Sequence, residues 1–324
     1  MRSLTALSVL LVPLAAAAVD LQGHRGARGL APENTLPAFA AALSIGVSTL
    51  ELDVGVTRDG VVVISHDPAL NPDIVRGPDG NWLEKRGPAI HSLTFAELQR
   101  YDVGRLKPAT PYAARYPQQQ SVDGARIPRL VNLFALVRRA GNETVRFNIE
   151  TKLDPGKPGE TLPPEAFARA LIAVLREAGM EARSAIQSFD WRTLQVVQRE
   201  APDIATVHLS AQQNWLDNIA ADSLLGSGWT AGIRFRDHGS VPKMVKAAGG
   251  AIWSPYFGDL DEAKLEEARA LGLQVVVWTV NDPAAIDAML ALGVDGLISD
   301  YPDRVRERMA KRGLALPPPT PVAP

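Results

Sequence analysis

Apolar residues along this chain keep two rhythms. Short runs such as LELDV (50–54) and FNIET (147–151) alternate apolar with polar positions, the period-two pattern of a strand with one buried face. These runs alternate with longer helix-like stretches, the sign of βα units on a parallel sheet. Strands are expected at 21–26, 49–54, 61–66, 145–151, 184–188, 204–209, 251–255, 274–279 and 295–298. Helices are expected at 36–45, 129–140, 164–178, 190–199, 261–271, 283–291 and 302–311. Asn34 or Thr35 can cap the first helix, and Gly46 ends it. The pattern predicts an α/β fold, a (β/α)8 TIM-type barrel with an inserted cap segment after the third strand. Nine candidate strands are one too many for such a wall, and 204–209 and 251–255 carry the weakest signals. An open doubly wound sheet is the runner-up, but no glycine-rich nucleotide loop follows the first strand.

Two places break the rhythm. Only GVTRDG (55–60) separates the second and third strands. If both run parallel, 55–59 must travel back outside the sheet before Asp59-Gly60 turns the chain again. Residues 67–126 are rich in Pro, Gly, Asn and Gln, with one helical patch near 94–101, and are expected to cap the top face. The ends differ in kind. Residues 1–18 have a basic start, an apolar run interrupted by Pro13 and small residues after it, a secretory signal pattern that implies a secreted or periplasmic protein. The proline-rich residues 314–324 are expected to be disordered, leaving 19–313 as the barrel domain.

Composition narrows the chemistry further. The chain of 324 residues is 46% hydrophobic and 22% charged, enough for one large core. A formal net charge of −2 gives no sign of nucleic-acid binding or of a polybasic membrane anchor. With no cysteine, disulfides and thiolate ligands are excluded.

The candidate chemistry lies at strand ends. Glu51 and Asp53 share one face of LELDV, where two carboxylates repel each other unless a cation sits between them. Asn148, Glu150 and Lys152 share one face of FNIETK, so Glu150 can complete a three-carboxylate set for a hard cation such as Ca²⁺ or Mg²⁺. Arg25 and Lys152 suit phosphate oxygens. His24 and His66 flank the Glu-x-Asp strand as acid–base candidates. His91, His208 and His238 have weaker claims and fit structural or exposed positions.

Taken in order, HRGARGLAPENT (24–35), ELDVGVTRDG (51–60) and VVISHD (62–67) resemble the glycerophosphodiester phosphodiesterase family. The likeness continues through FNIETK, QSFD (187–190), VVWTVN (276–281) and DGLISDYP (295–302), so it spans roughly 20–310. Ser299 stands where the family usually has threonine, and IPRLVNLF (127–134) lacks its usual Thr and Glu. The resemblance implies the same barrel and one divalent cation on Glu51, Asp53 and Glu150. It implies hydrolysis of small-molecule glycerophosphodiesters such as glycerophosphocholine to an alcohol and glycerol 3-phosphate. Glu33 is a candidate for the substrate pocket; Phe189 and Trp278 fit either an apolar wall for glycerol or the core. Two rivals stay open: phospholipase D-like cleavage of intact lysolipids or sphingolipids, and a periplasmic binding protein without turnover.

Overall fold

The computed structural model describes residues 18–324; the leader pattern at 1–18 lies outside them except for its last residue. Eight parallel strands close into a barrel: β1 (Asp20–Gly23), β2 (Thr49–Val56), β4 (Arg146–Thr151), β5 (Ser184–Ser188), β6 (Ala205–Ser210), β9 (Ile252–Pro255), β10 (Gln274–Val277) and β11 (Gly296–Ser299). Closure falls on β1, which pairs with β2 through Gln22↔Thr49 and with β11 through Asp20↔Gly296 to Gly23↔Ser299. Both strands with weak sequence signals belong to the wall and pair with each other, from Val207↔Ile252 to Ser210↔Pro255.

The surplus strand is β3 (Val62–Ile64), and the expectation for it needs correcting. It runs antiparallel to the end of β2, with Val54↔Ile64, Gly55↔Val63 and Val56↔Val62. The chain reverses at once at Thr57–Gly60, where Gly60 N–H donates to the Thr57 carbonyl and Gly60 takes φ +81°. A tight turn produces a hairpin, so no return path is needed. Barrel strand three is therefore β4. Two further short strands, β7 (Gln212–Gln213) and β8 (Leu216–Asp217), form a separate hairpin.

Most of the helical periodicity reappears. Helix Pro164–Ala178 buries Phe167, Ala168, Leu171, Ile172 and Leu175 on one stripe and stops at left-handed Gly179. Thr35, not Asn34, caps helix Leu36–Ile45 by accepting from Ala38 N–H. Helix Val241–Ala247 went unpredicted, since Pro242 and its shortness hide its period. The main apolar core lies between the wall and the helices, where Leu50, Leu52 and Val54 point.

Between β3 and helix Leu130–Arg139 the long segment keeps a small core of its own, built on Val63, Leu70, Val75, Ile90, Leu98, Val103 and Ile127. It also reaches the residues after β1: Gln120 N–H donates to the Leu30 carbonyl and Gln119 Nε2 to the Arg28 carbonyl. The C-terminal tail corrects another expectation. It is irregular but tied down, with Thr320 N–H on the Leu43 carbonyl, Asn142 Nδ2 on Thr320 Oγ1, and Leu314 and Val322 against the core. Proline forbids helix there, but carbonyls and apolar side chains still find partners.

His208 sits between wall and helices, edge-on to Trp191 at 5.1 Å, with its Nδ1 buried and unpaired. Burial pushes its pKa down to about 3. The unfolded chain takes up this proton below about pH 6.5 and the folded one does not, so stability present above that pH is lost as the pH falls toward 3. The loss is about 1.4 kcal/mol per pH unit, or about 2 kcal/mol by pH 5. Urea melts at pH 7 and pH 5 should show His208→Phe losing about 2 kcal/mol less than the parent across that interval. Equal losses would contradict a buried neutral imidazole.

Candidate active site

Inward-facing positions of β2 and β4 lie side by side, because the register pairs Glu51 with Asn148 and Asp53 with Glu150. This brings one ligand atom each from Glu51, Asp53 and Glu150 within 4.8 Å of one another. All three carboxylates are buried. Burial and the neighbouring Asp53 push the pKa of Glu51 well up. Burial also opposes the charge on Asp53, but Arg25, His66 and Lys152 hold it below the usual carboxylate range. Burial raises Glu150, against the pull of Lys152.

Cations already present answer only part of this charge. Lys152 Nζ donates to Glu150 Oε1 at 2.7 Å and stands 3.7 Å from Asp53 Oδ1. Arg25 N–H donates to Glu51 Oε2 at 2.8 Å, while its guanidinium donates to Glu33 Oε1 at 2.6 Å. Asp53 Oδ1 is buried with no hydrogen-bond donor. An orphaned carboxylate oxygen, excess negative charge and an all-oxygen donor set fit a hard divalent cation. The three acids can hold one.

The loop after β1 is built to serve this cluster. Arg25 (φ 51°) and Asn34 (φ 56°) both adopt the left-handed region, and a Cβ at Gly26 would come within 2.6 Å of the Ala38 carbonyl carbon. Such a backbone is held only where its surroundings over-determine it. Here Asn34 Nδ2 donates to Asp53 Oδ2 at 2.9 Å, so both left-handed residues hydrogen-bond to the acids.

The two histidines share one construction. His24 Nδ1 lies 2.6 Å from Asp300 Oδ1, and His66 Nδ1 lies 2.9 Å from Asp67 Oδ1. A carboxylate at Nδ1 fixes the proton there in the neutral ring, leaving Nε2 free to take one. His24 Nε2 is 3.8 Å from Glu51 Oε2. Burial and then Arg28 bring His24 down to about 4, with Asp300 acting in the opposite sense. Burial, Arg25 and Lys152 lower His66 as well.

His24, Arg25, Glu51, His66, Glu150, Lys152, Phe189 and Trp278 line one cavity of about 440 Å³ at the C-terminal end of the barrel. Phe189 and Trp278 meet edge to face at 5.3 Å on its wall, which places them in the cavity. Asp53 stands outside this lining, beside Glu51 and Glu150 in the acid cluster. Glu33 corrects the expectation of a pocket residue: it stands behind Arg25, clasped between that guanidinium and the Tyr112 hydroxyl.

Several residues escaped the sequence reading. Asp300 directly follows β11 and also accepts from Arg28 Nε at 2.8 Å and Asn281 Nδ2 at 2.7 Å. Its place at a strand end inside DGLISDYP was a usable signal. Tyr112 had none, since it comes from the long segment. Gln187 donates to Glu51 Oε1 at 2.6 Å and accepts from Asn148 Nδ2 at 3.0 Å. Asn148 Nδ2 also donates to Gln22 Oε1 at 2.9 Å, and Gln22 Nε2 to Asp20 Oδ2 at 2.9 Å. A polar column thus runs down the barrel interior. The period-two strands place these residues inward, yet nothing in the sequence alone pairs them.

The fold and the matched sequences agree on kinship. The profile described as "Glycerophosphoryl diester phosphodiesterase family" matches residues 24–304. A glycerophosphodiester phosphodiesterase of Caldanaerobacter subterraneus subsp. tengcongensis is 28% identical over 90% of this chain and 97% of its own. The crystal structure of a putative glycerophosphoryl diester phosphodiesterase from Silicibacter pomeroyi is 36% identical, with TM-score 0.81 over 93% of this chain and 96% of that one. An Oleispira antarctica phosphodiesterase, solved with the product sn-glycerol-3-phosphate, shares the fold at 22% identity and TM-score 0.65, over 90% and 97% of the two chains. With a closed parallel barrel and a match over nearly its whole length, this chain belongs to the glycerophosphoryl diester phosphodiesterase family.

Proposed function

We propose that the protein hydrolyses glycerophosphodiesters such as glycerophosphocholine to an alcohol and glycerol 3-phosphate, with a divalent cation and two histidines. The observation that carries this reading is a set of three buried carboxylates, two of which line one cavity together with two carboxylate-anchored imidazoles, Arg25 and Lys152. The product bound to the Oleispira antarctica relative supports glycerol 3-phosphate as a ligand of such a site.

Arg25 and Lys152 bind the phosphodiester and offset charge that grows on its oxygens in the transition state. Glu51, Asp53 and Glu150 would hold Ca²⁺ or Mg²⁺, which when bound would supply further charge neutralisation for the phosphoryl group. One histidine takes the proton of the attacking hydroxyl at Nε2; the other returns a proton to the leaving alkoxide. Asp300 and Asp67 accept from Nδ1–H of the two rings, so the base presents a bare Nε2 while the acid, as an imidazolium, carries the proton it gives on Nε2. Phe189 and Trp278 shield the reacting end of the cavity from water.

Chelation should abolish turnover, and added Ca²⁺ or Mg²⁺ should restore it. Glu51→Gln, Asp53→Asn and Glu150→Gln should each weaken cation binding in calorimetry. Each loss should exceed that of Gln187→Leu, itself expected to cost about 10–100-fold because it touches the cluster only through Glu51. Full activity of metal-free protein in EDTA would end this reading.

His24→Ala and His66→Ala should each lower kcat by about 10²–10⁴ while leaving cation affinity in place. The double variant should lose little more, because acid and base act on one reaction. A p-nitrophenyl diester, whose leaving group hardly needs a proton, should rescue only the variant that lost the acid. Loss of bound cation in both single variants would make the histidines ligands instead.

A further inference from the structure

The active-site cavity takes Trp215 and Trp229 from an excursion at residues 211–234 and sits at the C-terminal ends of the strands. A second cavity, of about 590 Å³, sits at the other end, among the first residues of the wall strands. Side chains ordinarily fill a barrel of this kind in layers, and its N-terminal face serves stability. Here the lowest inward positions of β5 and β6 are Ala185 and Ala205, too small to close the layer. The two sides of the space differ. Asp20, Gln22, Arg146 and Asn148 face it from β1 and β4, while Val207, Ile252 and Val276 face it from β6, β9 and β10.

Asn148 is 2% exposed, and its Oδ1 has no hydrogen-bond donor among the described residues. Turning the amide over would not help. Asn148 Nδ2 is held by Gln22 Oε1 and Gln187 Oε1, whose own side-chain nitrogens donate to Asp20 and Glu51. A buried acceptor fixed in this way calls for a donor from outside the chain. At the rim, Arg183 donates to the carbonyls of Val145 and Asn142 and to no carboxylate among the described residues. Burial pushes its pKa down. Arg146 pairs with Asp20 at 2.9 Å, but its side chain is 54% exposed and its guanidinium keeps donors for a further anion. Asn148 stands two residues beyond Arg146 on β4, about 7 Å along the strand, a gap that a chain of about five atoms spans.

We propose that the N-terminal end of the barrel is a second ligand site, for a small hydroxylated anion. A hydroxyl of the ligand donates to Asn148 Oδ1, its carbon chain lies against Val207, Ile252 and Val276, and its carboxylate or phosphate meets Arg146 and Arg183. The site does not depend on the phosphodiesterase reading. It is also a poor switch for it. Asn148 reaches Glu51 only through Gln187, and polarisation along such a chain strengthens each bond by about 10–30%. The ligand is therefore bound without a large effect on the acids at the other end.

The test uses D-glycerate and glycerol 3-phosphate as anionic probes and glycerol as the uncharged control. Each would be titrated by calorimetry into full-length protein and soaked into its crystals. Either anion should appear beside Arg146 and Arg183 with a hydroxyl on Asn148, and glycerol should bind about tenfold or more weakly. Glycerol 3-phosphate alone at this position would make the ligand the phosphodiester product; glycerate beside it would widen the class to hydroxy acids. Ala185→Leu, which fills the space beside Asn148, should abolish binding there. Arg183→Gln, which adds no bulk, should weaken it about tenfold or more. Both variants should turn over glycerophosphocholine at the parent's rate, so that failure of this site and failure of the phosphodiesterase reading are seen separately. Crystals that show only water in this cavity, anion binding unchanged in both variants, or glycerol binding as tightly as the anions would each overturn the proposal.

Discussion

Three carboxylates confined within 4.8 Å inside a barrel are the constraint that the surrounding structure serves. Desolvated like charges are unfavourable unless counter-charge and donors are held close. The chain supplies them from the loop after β1, from the residue after β4 and from β5, through Arg25, Asn34, Lys152 and Gln187. The left-handed turn at Arg25 is the clearest sign of what this costs, because a backbone N–H is spent on Glu51. Charge that remains uncompensated is what makes the cluster a place for a cation rather than a set of internal ion pairs.

The long segment after β3 joins this arrangement at one remove. Tyr112 grips Glu33, Glu33 grips Arg25, and Arg28 lies 4.8 Å over the Tyr116 ring while binding Asp300. Arg86 ties the segment to Glu160 on the cavity border with bonds of 2.7 and 2.8 Å. Burial pushes the Tyr116 hydroxyl up to about 12, so it stays neutral beside the buried arginine. The guanidiniums that border the cavity are thereby braced from outside the barrel.

Much of this was legible in the sequence, for a physical reason. Alternation along a strand is local, so the inward placement of Glu51, Asp53 and Glu150 could be read directly. Direction is not local: β3 has a strand's composition, and only the hairpin turn reveals that it runs the other way. Partners distant in sequence were also hidden, as with Asp300 and His24, which lie 276 residues apart. The excursion that carries Trp215 has neither period, so nothing announced its place at the cavity mouth. Pro-rich residues near the C-terminus misled because composition reports the absence of helix, not the absence of contacts.

The hydrogen-bonded column inside the barrel changes what would have to move if this chemistry were built into another scaffold. Grafting the loops would carry over Arg25 and His66 but leave Glu51 without Gln187, and Gln187 without Asn148 and Gln22. At the far end Asp20 is met by Thr49 at 2.7 Å and Arg146 at 2.9 Å. A host barrel filled with valine and leucine offers no footing for such a chain of amides. The transferable unit is the axial plug together with its rim, and a designer would have to replace the inside of the host barrel before touching its loops.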